Sequence, residues 1–98
     1  MGPAAAEQLA QAQARLAWSE TVADAGLARA GLESRLVRVA NGIGQVEASE
    51  PILAQELTLR AERLMGDVNG RMRGRPGATI ELRRLVISVG RFGSSRSL

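Results

Sequence analysis

An Asn-Gly pair, Asn41-Gly42, stands between two short stretches in which apolar and polar residues alternate, Arg35-Leu36-Val37-Arg38-Val39-Ala40 and Ile43-Gly44-Gln45-Val46-Glu47. A two-residue type I′ turn needs φ > 0 at both central positions, which Asn tolerates and Gly adopts freely, and its twist matches that of the strands it joins. The pair therefore predicts a β-hairpin, with Ala40 opposite Ile43, Val39 opposite Gly44, Arg38 opposite Gln45 and Val37 opposite Val46. Alternation then puts Val37, Val39 and Val46 on one face and Arg38 and Gln45 on the other, the pattern of a ribbon with one buried side. A helical reading competes, since Leu32, Leu36, Val39, Ile43 and Val46 are also spaced four, three, four and three apart. A continuous helix, however, would carry Gly42 and Gly44 beside Asn41 in its interior, at a cost of roughly 2 to 3 kcal/mol. It would also string β-branched residues along its surface.

Helices are expected on either side of the hairpin. Residues 4–30 are rich in Ala, Gln, Glu, Arg and Leu, and Pro3 suits a first helical turn. Leu9, Ala12, Leu16, Ala23, Leu27 and Ala30 form one apolar row, with Trp18, Val22 and Ala25 beside it. In this reading Gly26 is an interior weak point and Gly31 the stop. After the hairpin, Ser49 is a candidate N-cap, followed by Glu50 and Pro51. Leu53, Leu57, Ala61, Leu64, Val68 and Met72 then make the clearest helical stripe of the chain, with Asn69-Gly70 offering a stop and the period able to carry the helix one further turn to Arg73.

The remainder differs in character. Residues 1–70 hold six Arg against nine acids, whereas residues 71–98 hold seven Arg against Glu81 alone, so the two parts carry about −3 and +6. Arg71-Met72-Arg73-Gly74-Arg75-Pro76-Gly77 reads as a basic linker, with Arg71, Arg73 and Arg75 as donors for phosphate or acidic surfaces. Residues 78–89 read as extended: Ile80 and Leu82 alternate with Glu81 and Arg83, while Leu85, Ile87 and Val89 continue in the other phase across Arg83-Arg84, implying a bulge or bend. So apolar a strand needs a companion, either the chain's own hairpin or a partner sheet. Gly90 to Leu98, with Phe92 and Gly93-Ser94-Ser95, reads as a tail.

Together these segments predict an α+β fold: a long helix, a β-hairpin and a second helix as an αββα core over residues 1–73, then a basic linker and C-terminal extended arm over residues 74–98. The alternative is an all-α helical hairpin. Loss of residues 78–98 should leave such a core folded. A chain of 98 residues is one domain at most and buries about 60 to 65% of its unfolded surface. With only Trp18 and Phe92 as aromatics, stability is expected to lean on self-association.

Chemistry is scarce. The chain has no His, Cys, Lys or Tyr, which removes most general acids, bases and nucleophiles as well as thiolate metal ligands, so neither an enzyme nor a metal or cofactor site is expected. Glu20 with Asp24, or Glu47 with Glu50, could form an acid pair, but surface charge is the simpler reading. Gly42-Ile43-Gly44 begins like a dinucleotide loop, yet Glu47 stands where the third Gly belongs. Any contact with DNA would be non-specific and to phosphates, there being no aromatic platform for bases. No apolar run approaches the ~18 residues that span a bilayer, and no membrane partner is expected.

The order helix, hairpin, helix, basic extended C-terminus resembles the small head-completion, or head-tail joining, proteins of lambda-type tailed phages. The residues that carry the resemblance are Arg35 to Val46, Ser49-Glu50-Pro51-Ile52-Leu53, Leu57 and Leu64, and Val86 to Phe92. It implies a virion structural adaptor, made in the host cytoplasm and assembled as a ring between portal and neck subunits. Arg71, Arg73 and Arg75 would lie in its basic linker, and Ile80, Leu82, Arg83, Arg84, Leu85, Ile87, Val89 and Phe92 would form its docking arm. Leu36-Val37-Arg38-Val39 with Asn41-Gly42 also resembles the ribbon of YbaB-type nucleoid-associated proteins, implying a DNA-binding dimer. An all-helical chain would instead resemble the WXG-type secretion substrates or adaptors, although Trp18 is followed by Ser19 and Glu20 rather than by their Trp-x-Gly turn.

Overall fold

The chain reverses at Asn41 and Gly42, both left-handed, with φ of 55° and 79°. They join β1 (Ser34–Ala40) to β2 (Ile43–Ala48) as an antiparallel pair, preceded by α1 (Pro3–Asp24) and followed by α2 (Pro51–Leu59), α3 (Ala61–Met72) and β3 (Arg84–Val89). The computed structural model describes residues 3–90. The fold is α+β, and the all-helical alternative is excluded. Ala40, Val39 and Arg38 face Ile43, Gly44 and Gln45 as the sequence predicts.

Beyond Arg38 the expected register fails. Leu36, not Val37, lies opposite Val46, and Val37 is the extra residue of a β-bulge. The bulge resolves a conflict that strict alternation cannot, because Leu36 and Val39 differ by three positions and both face the core.

The first helix also departs from expectation, ending at Asp24. Gly26, at φ 75°, is its terminator: Leu27 N–H bonds Val22 C=O at 2.9 Å and Gly26 N–H bonds Ala23 C=O at 3.1 Å, a Schellman cap closed by burial of Leu27 and Val22. The buried face is Ala10, Ala14, Ala17, Trp18, Thr21 and Val22, while Leu9 and Leu16 are about half exposed, at 46% and 51%. Trp18, the largest buried side chain, decides this rotation. Its indole N–H donates to Ser34 Oγ at 3.0 Å, and the small Ala residues around it let α1 approach the sheet.

The stripe from Leu53 to Met72 is buried as expected, except for half-buried Ala61, but it runs along two helices. Arg60, at φ −108° and ψ 14°, ends α2 and starts α3. No Gly or Pro marks the break; Thr58 Oγ1 donates to Ala54 C=O at 2.8 Å, a back-bond that bends helices. Ser49 is not the N-cap, which is Glu50 without a side-chain bond. Its hydroxyl instead accepts from Glu33 N–H at 2.9 Å. Of the two ends the sequence allows for this stripe, the later is the observed one, α3 running to Met72 with Arg73 as its C-cap, and the Asn69 carboxamide has another use. It donates to Leu82 C=O at 2.9 Å and accepts from Leu82 N–H at 2.8 Å.

This clamp returns the chain to the sheet. Leu82 is buried, the amides of Arg83 and Arg84 converge on Gly42 C=O at 2.7 and 3.1 Å, and β3 then pairs in parallel with β2 from Ile43↔Arg84 to Ala48↔Val89. The irregularity expected at Arg83-Arg84 is thus the entry into the sheet. The sheet order is β1-β2-β3, and its inward apolar residues, Val89 excepted, join one core with the three helices. Gly44 is the point of closest approach, where a Cβ would stand 2.8 Å from Leu82 Cδ2 and 3.1 Å from Leu36 Cδ1. The described part of the expected arm, residues 74–90, is therefore integral to the core. Removing residues 78–98 would take Leu82 and β3 from the fold rather than spare it.

Replacing Asn69 by Leu keeps the branched shape and deletes both bonds to Leu82, leaving a buried N–H and C=O unpaired. Unfolding in urea should lose about 1 to 3 kcal/mol, with the midpoint lowered and the slope unchanged. Hydrogen exchange at the Leu82 amide should accelerate in step.

Candidate functional site

The three helices cover one face of the sheet and leave the other bare among the described residues. Pairing places on this bare face Arg38, Gln45 and Val86 in one row across the strands, Ala40, Ile43 and Arg84 in the row at the hairpin end, and Arg35, Glu47 and Ser88 in the row at the far end. Val86 is 48% exposed and Ile43 37%. Arg35 bonds Glu47 across the strands at 2.9 Å, and both side chains remain accessible. No ion pair holds Arg38 or Arg84 among the described residues. The result is a shallow aliphatic strip, Ile43 and Val86, flanked by guanidinium groups. Such a mixture of apolar area and Arg is typical of contact surfaces, and its flatness suits a macromolecule better than a small ligand.

The arginines of the basic linker behave differently. Arg71 pairs with Asp24 and, at 3.4 Å, with Glu20, and Arg75 pairs with Glu20, so two of the three are spent tying α1 to α3 and the loop after it. The hydrogen bond that Arg71 donates to the Asp24 carboxylate raises the Arg71 pKa above the ordinary arginine value, against some desolvation. Because the pKa of this cation is raised, deprotonation of the guanidinium removes the contribution only as the pH rises through and above the ordinary arginine range. The Glu20–Asp24 pair is thereby accounted for as a latch, and Glu47 is engaged by Arg35. Arg73 is exposed at the C-terminus of α3.

The remaining expected contact residues fall into three groups. Leu82 is buried, and Ile80, Leu85 and Ile87 are half-buried against the core, so these are packing residues on their inward side. Arg83, Arg84 and Val89 are exposed, with the Arg83 stem lying across Gly42. Phe92 lies outside the described residues. What sequence reasoning passed over is the hairpin's share of the bare face, Arg38, Gln45 and Ile43, although alternation had already set Arg38 and Gln45 opposite the apolar side of the hairpin.

The two edges of the sheet are unlike. At β1, the outward N–H and C=O of Val39 are both taken by the Gln11 carboxamide, at 3.0 and 2.7 Å. At β3, Arg84 and Gly90 direct their N–H groups to β2, so alternation turns the amides of Leu85, Ile87 and Val89 outward, and no bond reaches them among the described residues. Elsewhere, a depression between the end of α1 and the α2–α3 joint is lined by Thr21, Asp24, Thr58, Arg60, Arg63 and Asp67, and the buried Thr21 hydroxyl there has no hydrogen-bond partner among the described residues. Its charges oppose one another and define no ligand.

No protein-family model matches the chain, and no curated protein matches it. Among the described residues no helix is long and apolar enough to cross a membrane.

The division of the arginines is open to direct measurement. Arg71→Gln and Arg75→Gln should each lower the melting temperature by a few degrees, an effect damped by added salt, whereas Arg38→Gln and Arg84→Gln should leave it within about a degree.

Proposed function

We propose that this protein is a non-enzymatic structural adaptor of a phage or phage-like particle, docking the bare face of its sheet on an acidic surface of a portal or neck subunit. The observation that carries this reading is the exposed Ile43–Val86 strip between Arg38 and Arg84, a combination that buries apolar area while its arginines select an acidic partner. The particle context comes from the head-completion resemblance, with assembly in the host cytoplasm before incorporation. Contacts of this size are modest singly, and an oligomer multiplies them by avidity.

A second reading is contact with the phosphate backbone of DNA, as the YbaB-type resemblance implies. The specific observation in its favour is that Arg38, Arg83 and Arg84 lie near the hairpin end of the sheet without ion pairs among the described residues. The absence of Tyr and the burial of Trp18 leave the described surface without stacking aromatics, so such binding would be blind to sequence.

A photo-crosslinking residue in place of Gln45, at the centre of the bare face, separates the two. In particle-producing cells it should capture an acidic structural subunit, and the joint change Arg38→Glu and Arg84→Glu should abolish capture while the circular dichroism spectrum stays the same. Capture of nucleic acid instead, with duplex binding that falls steeply between roughly 50 and 200 mM salt, would overturn the adaptor role in favour of the second reading.

A further inference from the structure

We propose that the open edge of β3 pairs with β3 of a second copy, in antiparallel fashion about a two-fold axis through Ile87, to form a continuous six-stranded sheet. The strand itself carries little to prevent this: of Arg84-Leu-Val-Ile-Ser-Val89 only the first residue is charged, and there is no Pro or Lys to blunt the edge. The opposite edge, by contrast, is plugged by Gln11.

The register follows from which groups face outward. Leu85, Ile87 and Val89 present their amides away from β2, so an antiparallel partner must place such residues opposite one another. Among the described residues only centring on Ile87 engages all three, setting Leu85 against the partner's Val89, Ile87 against its own counterpart and Val89 against the partner's Leu85. On the helix side these three pairs form one apolar row, which covers Val89, now 52% exposed, and the half-buried Leu85 and Ile87. On the bare side Val86 meets Ser88, and Arg84 meets Gly90.

That last pair supplies the charge complementarity. Gly90 has no side chain, and the Glu47 side chain occupies its place: a Cβ on Gly90 would stand 2.9 Å from Glu47 Cδ and 3.0 Å from Oε1. Arg84 of one copy, laid opposite Gly90 of the other, thus arrives beside the Glu47 carboxylate, and the two-fold repeats the contact. Glu47 is one-third exposed and already accepts from Arg35, so an acceptor oxygen remains for a second guanidinium. A shift of two residues in either direction forfeits this contact and one pair of amides. The dimer holds whichever macromolecule the bare face meets; it joins two such faces side by side and shares Arg84 between the seam and the face.

The test is sedimentation of the full chain across a concentration series, with two variants. The native chain should pass from monomer to dimer as concentration rises. Val89→Pro removes an outward amide without touching the Gly90 bond to Ala48 and should leave a folded monomer, while Arg84→Glu should raise the dissociation constant at least about tenfold by facing Glu47 with a like charge. Because the chain has no Cys, an equimolar mixture of Val86→Cys and Ser88→Cys chains should oxidise to a crosslinked pair faster than either alone, a readout that holds even if the Pro variant fails to fold. A native chain that stays monomeric at roughly millimolar concentration, well above the range of specific association, would overturn the proposal. So would a dimer indifferent to the two edge variants, or crosslinking no faster in the mixture. A monomer whose Leu85, Ile87 and Val89 amides are protected from hydrogen exchange would assign the edge to residues 91–98 of the same chain and equally overturn it.

Discussion

The architecture depends on one side chain holding one backbone residue. Asn69 grips Leu82 by both its N–H and its C=O, and in doing so fixes where the chain leaves α3 and at what height it meets β2. Leu82 then sits over Gly44, in a space that exists only because Gly44 has no Cβ. From there the amides of Arg83 and Arg84 can reach only the carbonyl of Gly42, and the parallel register of β3 is set before its first regular pair forms. A helix, a turn and a strand far apart in sequence are thus made interdependent by a carboxamide and a missing methyl group.

Much of this plan is legible in the sequence, and the legible parts share a physical origin. The hairpin is written in two residues because φ > 0 is a demand that few residue types meet. The stripe from Leu53 to Met72 is plain because large aliphatic residues recur at a helical period against a single core. The failures arise where two demands compete. Rows of Leu in the first helix indicated one face, yet a single Trp with a polar handle outweighed them and turned Leu9 and Leu16 toward solvent. Gly26, read as an interior defect, proved to be a terminator, because a Schellman cap is defined by bonds to Val22 and Ala23 that no local pattern reveals. The bulge at Val37 and the break at Arg60 leave no Gly or Pro behind; both are adjustments of the backbone to packing.

The candidate surface was harder to read, and electrostatics explains why. A basic C-terminal third suggests a uniformly basic arm, but charge in sequence is not charge in space. Arg71 and Arg75 turn back onto Glu20 and Asp24 and become ties between helices, whereas Arg38, from the acidic part of the chain, stands across β2 from Arg84 on the uncovered side of the sheet. Alternation predicted which way Arg38 points; only the pairing of β3 with β2 could show what it would share that face with.

The seal that Gln11 places on the Val39 edge carries a consequence for how far association can proceed. A sheet with two adhesive flanks has no natural stopping point, and stacking one on the next builds fibres. With one flank closed by a carboxamide that belongs to the same molecule, accretion ends as soon as the other flank is satisfied. The limit on such growth thus rests on a single glutamine of α1.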